Sequence, residues 1–253
     1  MTSSGAPGGY DPKHFESLFA LDSTSFWFRA RSDLINWALD RYFPSARSFL
    51  ELGCGNGYVI DRVRQIHPDW RLVGTELFEE GLANARIRMP SGVELTQMDA
   101  TRNPYAAEFD VAGAFDVIEH IEDAPAVLAG MFEAVKPGGG LLITVPQHKW
   151  LWSGADVAAH HVKRYTRREL AGEIRAAGFE PVRIASFVSL LLPAMMLSRL
   201  LKKDAADVEG ELDMAAPLNK ACYAVMRLEG ALVRAGLNFP AGGSLLAVAR
   251  RPA

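Results

Sequence analysis

The sequence predicts an α/β protein built on a doubly wound, mostly parallel sheet. Short, almost continuously apolar segments alternate with stretches of helical periodicity, the pattern required by a sheet covered on both faces. Three glycines at every second position follow the first strand candidate, and the first three strand candidates each end at or beside a carboxylate. Sheets of this kind bind ligands at the carboxyl ends of their strands.

Ser48-Phe49-Leu50 leads into Glu51-Leu52-Gly53-Cys54-Gly55-Asn56-Gly57, after which Val59, Ile60, Val63 and Ile66 recur at helical spacing until Pro68 stops the run. Glycines without a Cβ let backbone approach a flat, polar, nucleoside-containing ligand. A dinucleotide fingerprint needs its third glycine three residues after the second, and Gly57 comes one residue too early. No Gly-Lys-Ser/Thr follows, which argues against a phosphate loop. Glu51 at the loop entrance suits a ligand with an ammonium or sulfonium charge. The second strand, Arg71 to Glu76, ends in an acid placed about 20 residues after the loop, where a carboxylate accepts hydrogen bonds from both ribose hydroxyls.

The third unit, Val93 to Met98, ends at Asp99-Ala100, and the fourth runs from Phe109 to Ile121. Asp123 before Ala124-Pro125 is an N-cap with proline at the first helical position, Lys136 to Gly140 a helix stop and turn, and Leu141 to Pro146 a buried fifth strand. Thr166 with Glu169 forms a capping box for a helix from Arg167 that Gly178 ends.

On these residues the chain resembles the class I S-adenosylmethionine (SAM)-dependent methyltransferases, whose first motif places an acid ahead of three alternate glycines. Phe109 to Ile121 is similar to the corresponding stretch of the quinone-biosynthesis methyltransferases, and His161-Val162-Lys163-Arg164-Tyr165-Thr166 to a string in related small-molecule enzymes. The resemblance implies a Rossmann-like, seven-stranded core whose last strand, Gly242 to Arg250, is inserted antiparallel beside a sixth, Phe179 to Phe187. It implies SAM as cofactor, held by Glu51, Gly53, Gly55, Gly57, Glu76, Asp99, Ala100 and Phe115. Asp99 would bond the adenine amino group, and Phe115 would lie beside the adenosine and methionine parts. Arg31 would pair the methionine carboxylate through its fork of donors. Its neighbours Trp27 and Phe28 would cover the cofactor or anchor the N-terminal helix.

Between Pro146 and Thr166 fall three of the six histidines and two of the five tryptophans, where an acceptor would meet the methyl group. Histidine suits deprotonation of a hydroxyl, so His148, His160 and His161 are the base candidates, and Trp27, Trp152 and Tyr165 the acceptor contacts. The expected reaction is methyl transfer to an amphipathic or lipophilic small molecule, with O-methylation favoured. C- or N-methylation of a small molecule or glycan is the alternative, and a non-catalytic SAM-binding scaffold at a membrane surface is the reading of another class. Asp116, Glu119, Glu122 and Asp123 lack the Asp-Asn pair that catechol-methylating enzymes add further along, so no metal is expected.

The formal net charge of −3 argues against a nucleic-acid partner. Two cysteines, Cys54 and Cys222, offer neither a disulfide framework nor metal-ligand spacing, and fit a cytoplasmic chain. The expected division is a disordered tail (1–12), N-terminal cap helices (13–45), a SAM-binding core (46–187), a helical insertion serving as substrate lid (188–241) and the final strand (242–253). The apolar run 188–203 is too short to span a bilayer. It roofs a lipophilic pocket, packs on the sheet, or touches a membrane surface with Lys202 and Lys203 at the headgroups.

Overall fold

The computed structural model describes residues 14–201 and 214–253. The expected tail 1–12, the Lys202-Lys203 pair and the acidic stretch Asp204 to Asp213 lie outside these residues.

Helices α1 (His14–Leu21) and α2 (Phe26–Tyr42) precede β1 (Ser48–Leu52), α3 (Tyr58–Ile66), β2 (Arg71–Glu76), α4 (Glu79–Arg88), β3 (Glu94–Gln97) and β4 (Phe109–Phe115). Then come α5 (Ala124–Ala134), β5 (Val135–Pro146), α6 (Gly154–Ala158), α7 (Arg167–Ala176), β6 (Glu180–Phe187), α8 (Leu192–Leu201), α9 (Ala216–Arg234) and β7 (Ser244–Arg250). The seven strands form one sheet in the order β3-β2-β1-β4-β5-β7-β6, with β7 antiparallel to both neighbours and the other pairs parallel. Successive side chains of a strand point to opposite faces, and the core divides accordingly. Leu246 and Val248 of β7 join the face covered by α2, α3, α4 and α9, whereas Leu245, Ala247 and Ala249 join the face covered by α5 and α7. Each large side chain buried this way stabilises by about 1.5–3 kcal/mol.

Several local expectations hold. Asp123 accepts from the Ala126 N–H, Thr166 and Glu169 form the reciprocal cap of α7, and Gly178 takes φ 97° after it. Lys136 to Gly140 differ: they belong to β5, because Val135 pairs with Phe109 and Gly140 with Val111, while Gly138 at φ 79° absorbs the irregularity. Helix α9 starts at Ala216, with Pro217 in its first turn, where a missing N–H costs nothing. The Asn219 side chain then bonds Thr24 O and the Phe26 N–H, tying α9 to the start of α2.

Strand order reverses between β1 and β4. The loops after these two strands therefore diverge to opposite faces and leave a crevice between them. Glu51 to Gly57 stand on one side of that crevice and Asp116 to His120 on the other.

Candidate active site

Gly53, Gly55 and Gly57 all adopt left-handed backbone, at φ 65°, 53° and 75°. A Cβ at Gly53 would sit 2.6 Å from Val117 Cγ2, and one at Gly57 2.5 Å from Met89 Cε, so both positions need glycine twice over. Glu76 braces this loop from the end of β2. Its Oε2 accepts from the Gly55 N–H at 2.9 Å, and its Oε1 from the N–H groups of Leu77 and Phe78 at 2.8 and 3.1 Å. Burial raises its pKa, against the pull of those three donors.

The sequence reading missed a clamp over the loop. Asn56 Nδ2 donates to the Phe15 carbonyl at 2.9 Å, and Asn84 Nδ2 to the same carbonyl at 3.3 Å and to Asn56 Oδ1 at 3.0 Å. The Phe15 ring lies over Gly55 and Gly81, where added Cβ atoms would approach it to 3.7 and 2.9 Å. Asparagine inside the glycine motif was the available signal, but its partner is 41 residues away in the chain.

Glu51 is 2% exposed, and its Oε2 has no hydrogen-bond partner. Burial pushes its pKa up to about 8, although Arg31 pulls the other way. A buried, orphaned carboxylate oxygen at a glycine cradle fits a ligand that brings a positive charge. Arg31 is buried on α2, stacks over the rings of Trp27 and Phe28, and pairs with Asp116, itself at φ 57° after β4. Desolvation lowers its pKa to about 10, offset by Glu51 and Glu119.

The remaining expected residues occupy varied places. Asp99 caps a short helical turn by accepting from Thr101 N at 2.9 Å and Thr101 Oγ1 at 2.7 Å, bonds that hold its pKa down; Ala100 beside it is buried. Phe115 is a core side chain stacked 6.4 Å from Phe49. Trp27 packs edge-on against Phe187. Trp152 is exposed, and Tyr165 is fully buried among the residues under α5 and α7.

The three base candidates separate. His148, at φ 63°, stacks on exposed Trp150, and His160, at φ 55°, is exposed. His161 instead faces the acidic segment after β4, its ring 4.7 Å from that of His120. Its Nδ1 lies 2.8 Å from Oδ1 of fully buried Asp156, while its side chain keeps 16% exposure. Glu119 beside it is fully buried with neither carboxylate oxygen hydrogen-bonded, and burial lifts its pKa to about 8. Desolvation drops His120 to about 3, so its imidazole is neutral.

Glu119, His120 and His161 each place one ligand atom within 4.8 Å of the others, close enough to share a proton or a cation. The four acids weighed as a metal site in the sequence do not form such a group among the described residues. Asp116 pairs with Arg31, while Glu122 and Asp123 are exposed.

Comparisons with known proteins bear on the family and the fold. The family model of the methyltransferase domain matches residues 24–184. A protein of Mycolicibacterium smegmatis named "Probable S-adenosylmethionine-dependent methyltransferase" is 29% identical over 163 residues, covering 63% of this chain and 62% of that protein. The ubiquinone biosynthesis O-methyltransferase of Pseudomonas entomophila is 26% identical over 164 residues, covering 58% of this chain and 70% of the enzyme. The chain spans about three fifths of the length of most curated relatives it matches. Among solved structures, a chain of the complex between the Haloferax volcanii Trm112 methyltransferase activator and a methyltransferase superimposes with a TM-score of 0.63 at 18% identity, over 96% of this chain and 97% of that one. The glycine cradle, the strand-end acids, the sheet order and the matched domain lead to one assignment: the chain belongs to the methyltransferase domain family, with the Rossmann-like fold of the class I, SAM-dependent enzymes.

Proposed function

We propose that the protein O-methylates an amphipathic or lipophilic small molecule, with His161 as the base. The observation that carries this reading is the setting of His161: partly exposed, backed by a buried carboxylate and turned toward the segment after β4. When bound, SAM supplies an electrophilic methyl carbon on a sulfonium. Glu51, the three glycines, Glu76 and Asp99 would hold it, with Arg31 at its carboxylate end. Trp27 and Trp152 would meet the acceptor, and the similarity to ubiquinone biosynthesis O-methyltransferases supports a hydroxyl as the methylated group.

The described parts of the insertion, 188–201 and 214–241, would act as the substrate lid. Leu190, Met196 and Leu197 are exposed at and within α8, which supports an acceptor drawn from a lipid phase. No helix among the described residues is long and apolar enough to cross a membrane. The reaction would need no resident metal. The deciding experiment is mass spectrometry of small molecules that accumulate when the protein is removed. A hydroxylated species lighter than its normal product by one methylene supports the reading, and a lighter amine overturns it.

Cofactor binding has its own electrostatic signature. A cation brought beside Glu51 favours its ionised form, so a carboxyl with a pKa of about 8 should release part of a proton near neutral pH. Calorimetric enthalpies of SAM binding should therefore differ between phosphate and Tris in proportion to their ionisation heats. Identical enthalpies would remove Glu51 from the site.

A further inference from the structure

Asp156 stands in the short helix α6, more than thirty residues in sequence from Glu119, yet it is buried and makes four polar contacts. Its Oδ1 accepts from Arg164 Nε at 2.6 Å and meets His161 Nδ1 at 2.8 Å; its Oδ2 accepts from the N–H and hydroxyl of Ser153 at 2.8 and 3.2 Å. Against the cost of burial, its bonds to His161 and Arg164 hold its pKa well below the usual carboxylate range, so Asp156 is an acceptor only. The proton between Asp156 and His161 must then sit on Nδ1, so that whenever the ring carries a single proton the lone pair is on Nε2. Arg164 also donates from Nη1 to the Gln147 carbonyl at 3.0 Å, and the Val162 N–H donates to the Glu119 carbonyl at 2.7 Å. The loop carrying His161 is thereby pinned both to the end of β5 and to the segment after β4.

We propose that Asp156 is a positioning residue that fixes the tautomer and direction of His161 so that Nε2 takes the acceptor's proton. This rests on the O-methylation reading above. In the step, the acceptor O–H bond breaks as Nε2–H forms, and the oxygen bonds the methyl carbon while the S–C electron pair stays on sulfur. The resulting imidazolium faces the Asp156 carboxylate and gives its proton to water afterwards. Sequence spacing offers a bland account of Asp156, since it also completes a capping box with Ser153 at the start of α6. That role explains Oδ2 and leaves the bonds at Oδ1 unexplained.

The test is long-range proton–nitrogen correlation NMR on the full chain labelled with ¹⁵N-histidine, the His161 signals being identified by their loss in His161→Gln. The wild type should carry its proton on Nδ1. Asp156→Asn should move it to Nε2, because the amide turns a donor toward the ring. A wild-type proton on Nε2, or an unchanged tautomer in Asp156→Asn, overturns the proposal. With 4-tert-butylcatechol and labelled SAM as probe, Asp156→Asn should lower kcat roughly 10- to 100-fold, the usual effect of losing a group that orients a functional histidine, with the KM for SAM within about twofold. The double variant with His161→Gln should be no slower than His161→Gln alone, since both changes remove the same interaction. Additive losses would reduce Asp156 to a structural cap. Loss of turnover with EDTA, restored by Mg²⁺, would make Nε2 a metal ligand and overturn its role as base. A wild type that binds SAM, keeps the Nδ1 proton and methylates no hydroxyl would instead overturn the O-methylation reading alone.

Discussion

Glu76→Ala should weaken SAM binding about a thousandfold. Glu76 is proposed to grip the ribose, and its two oxygens already brace the glycine loop through the N–H groups of Gly55, Leu77 and Phe78. Hydrogen bonds to a charged group are worth ~1.5–3 kcal/mol each, so losing the equivalent of two costs about 4 kcal/mol of binding, near three decades in Kd. Calorimetric titration with SAM and with its demethylated product should show the same loss, because both carry the ribose. Glu76→Gln should be nearly as damaging, since its amide turns donors toward N–H groups that are themselves donors. A change under about fivefold in both variants would place the ribose elsewhere.

Arg31→Met should cost roughly 3–5 kcal/mol of stability at pH 8, the range for removing one partner of a buried ion pair. The methionine keeps much of the packing on Trp27 and Phe28 but leaves Asp116, Glu51 and Glu119 without their shared cation. The pH dependence has a definite sign. Glu51 and Glu119 titrate from 4.5 in the unfolded chain to about 8 in the folded one. Between these values the native state holds protons that the unfolded state has released, so stability falls as pH rises from about 4.5 to 8. Without Arg31 both carboxyls are harder still to ionise, so the fall continues above pH 8 instead of levelling off there. Urea unfolding at pH 5 and pH 9.5 should therefore show a larger loss at the higher pH. An equal loss at both would mean that Arg31 contributes packing alone.

What the sequence conveyed was carried by short-range rules. Periodicity marked the strands and helices, the glycine triplet with Glu51 and Glu76 marked the proposed cofactor crevice, and Asp123 and Thr166 marked helix starts whose caps form as expected. Each signal lies within a few residues of its own cause. Lys136 to Gly140 show the limit: their local composition signals a turn, but pairing with Phe109 and Val111 draws them into β5.

The sequence by itself determined the class of fold and the acidic, glycine-lined edge, because strand period, glycine conformation and charge are properties of adjacent residues. Only the tertiary structure decided which histidine lies beside Glu119 and His120, which carboxylate stands behind it, and that Arg31 meets Asp116, 85 positions further along. Those choices depend on burial. A carboxylate or imidazole takes its protonation state and direction from whatever the folded chain packs around it, and Asp156, Glu119 and Phe15 acquire those neighbours only when the crevice closes.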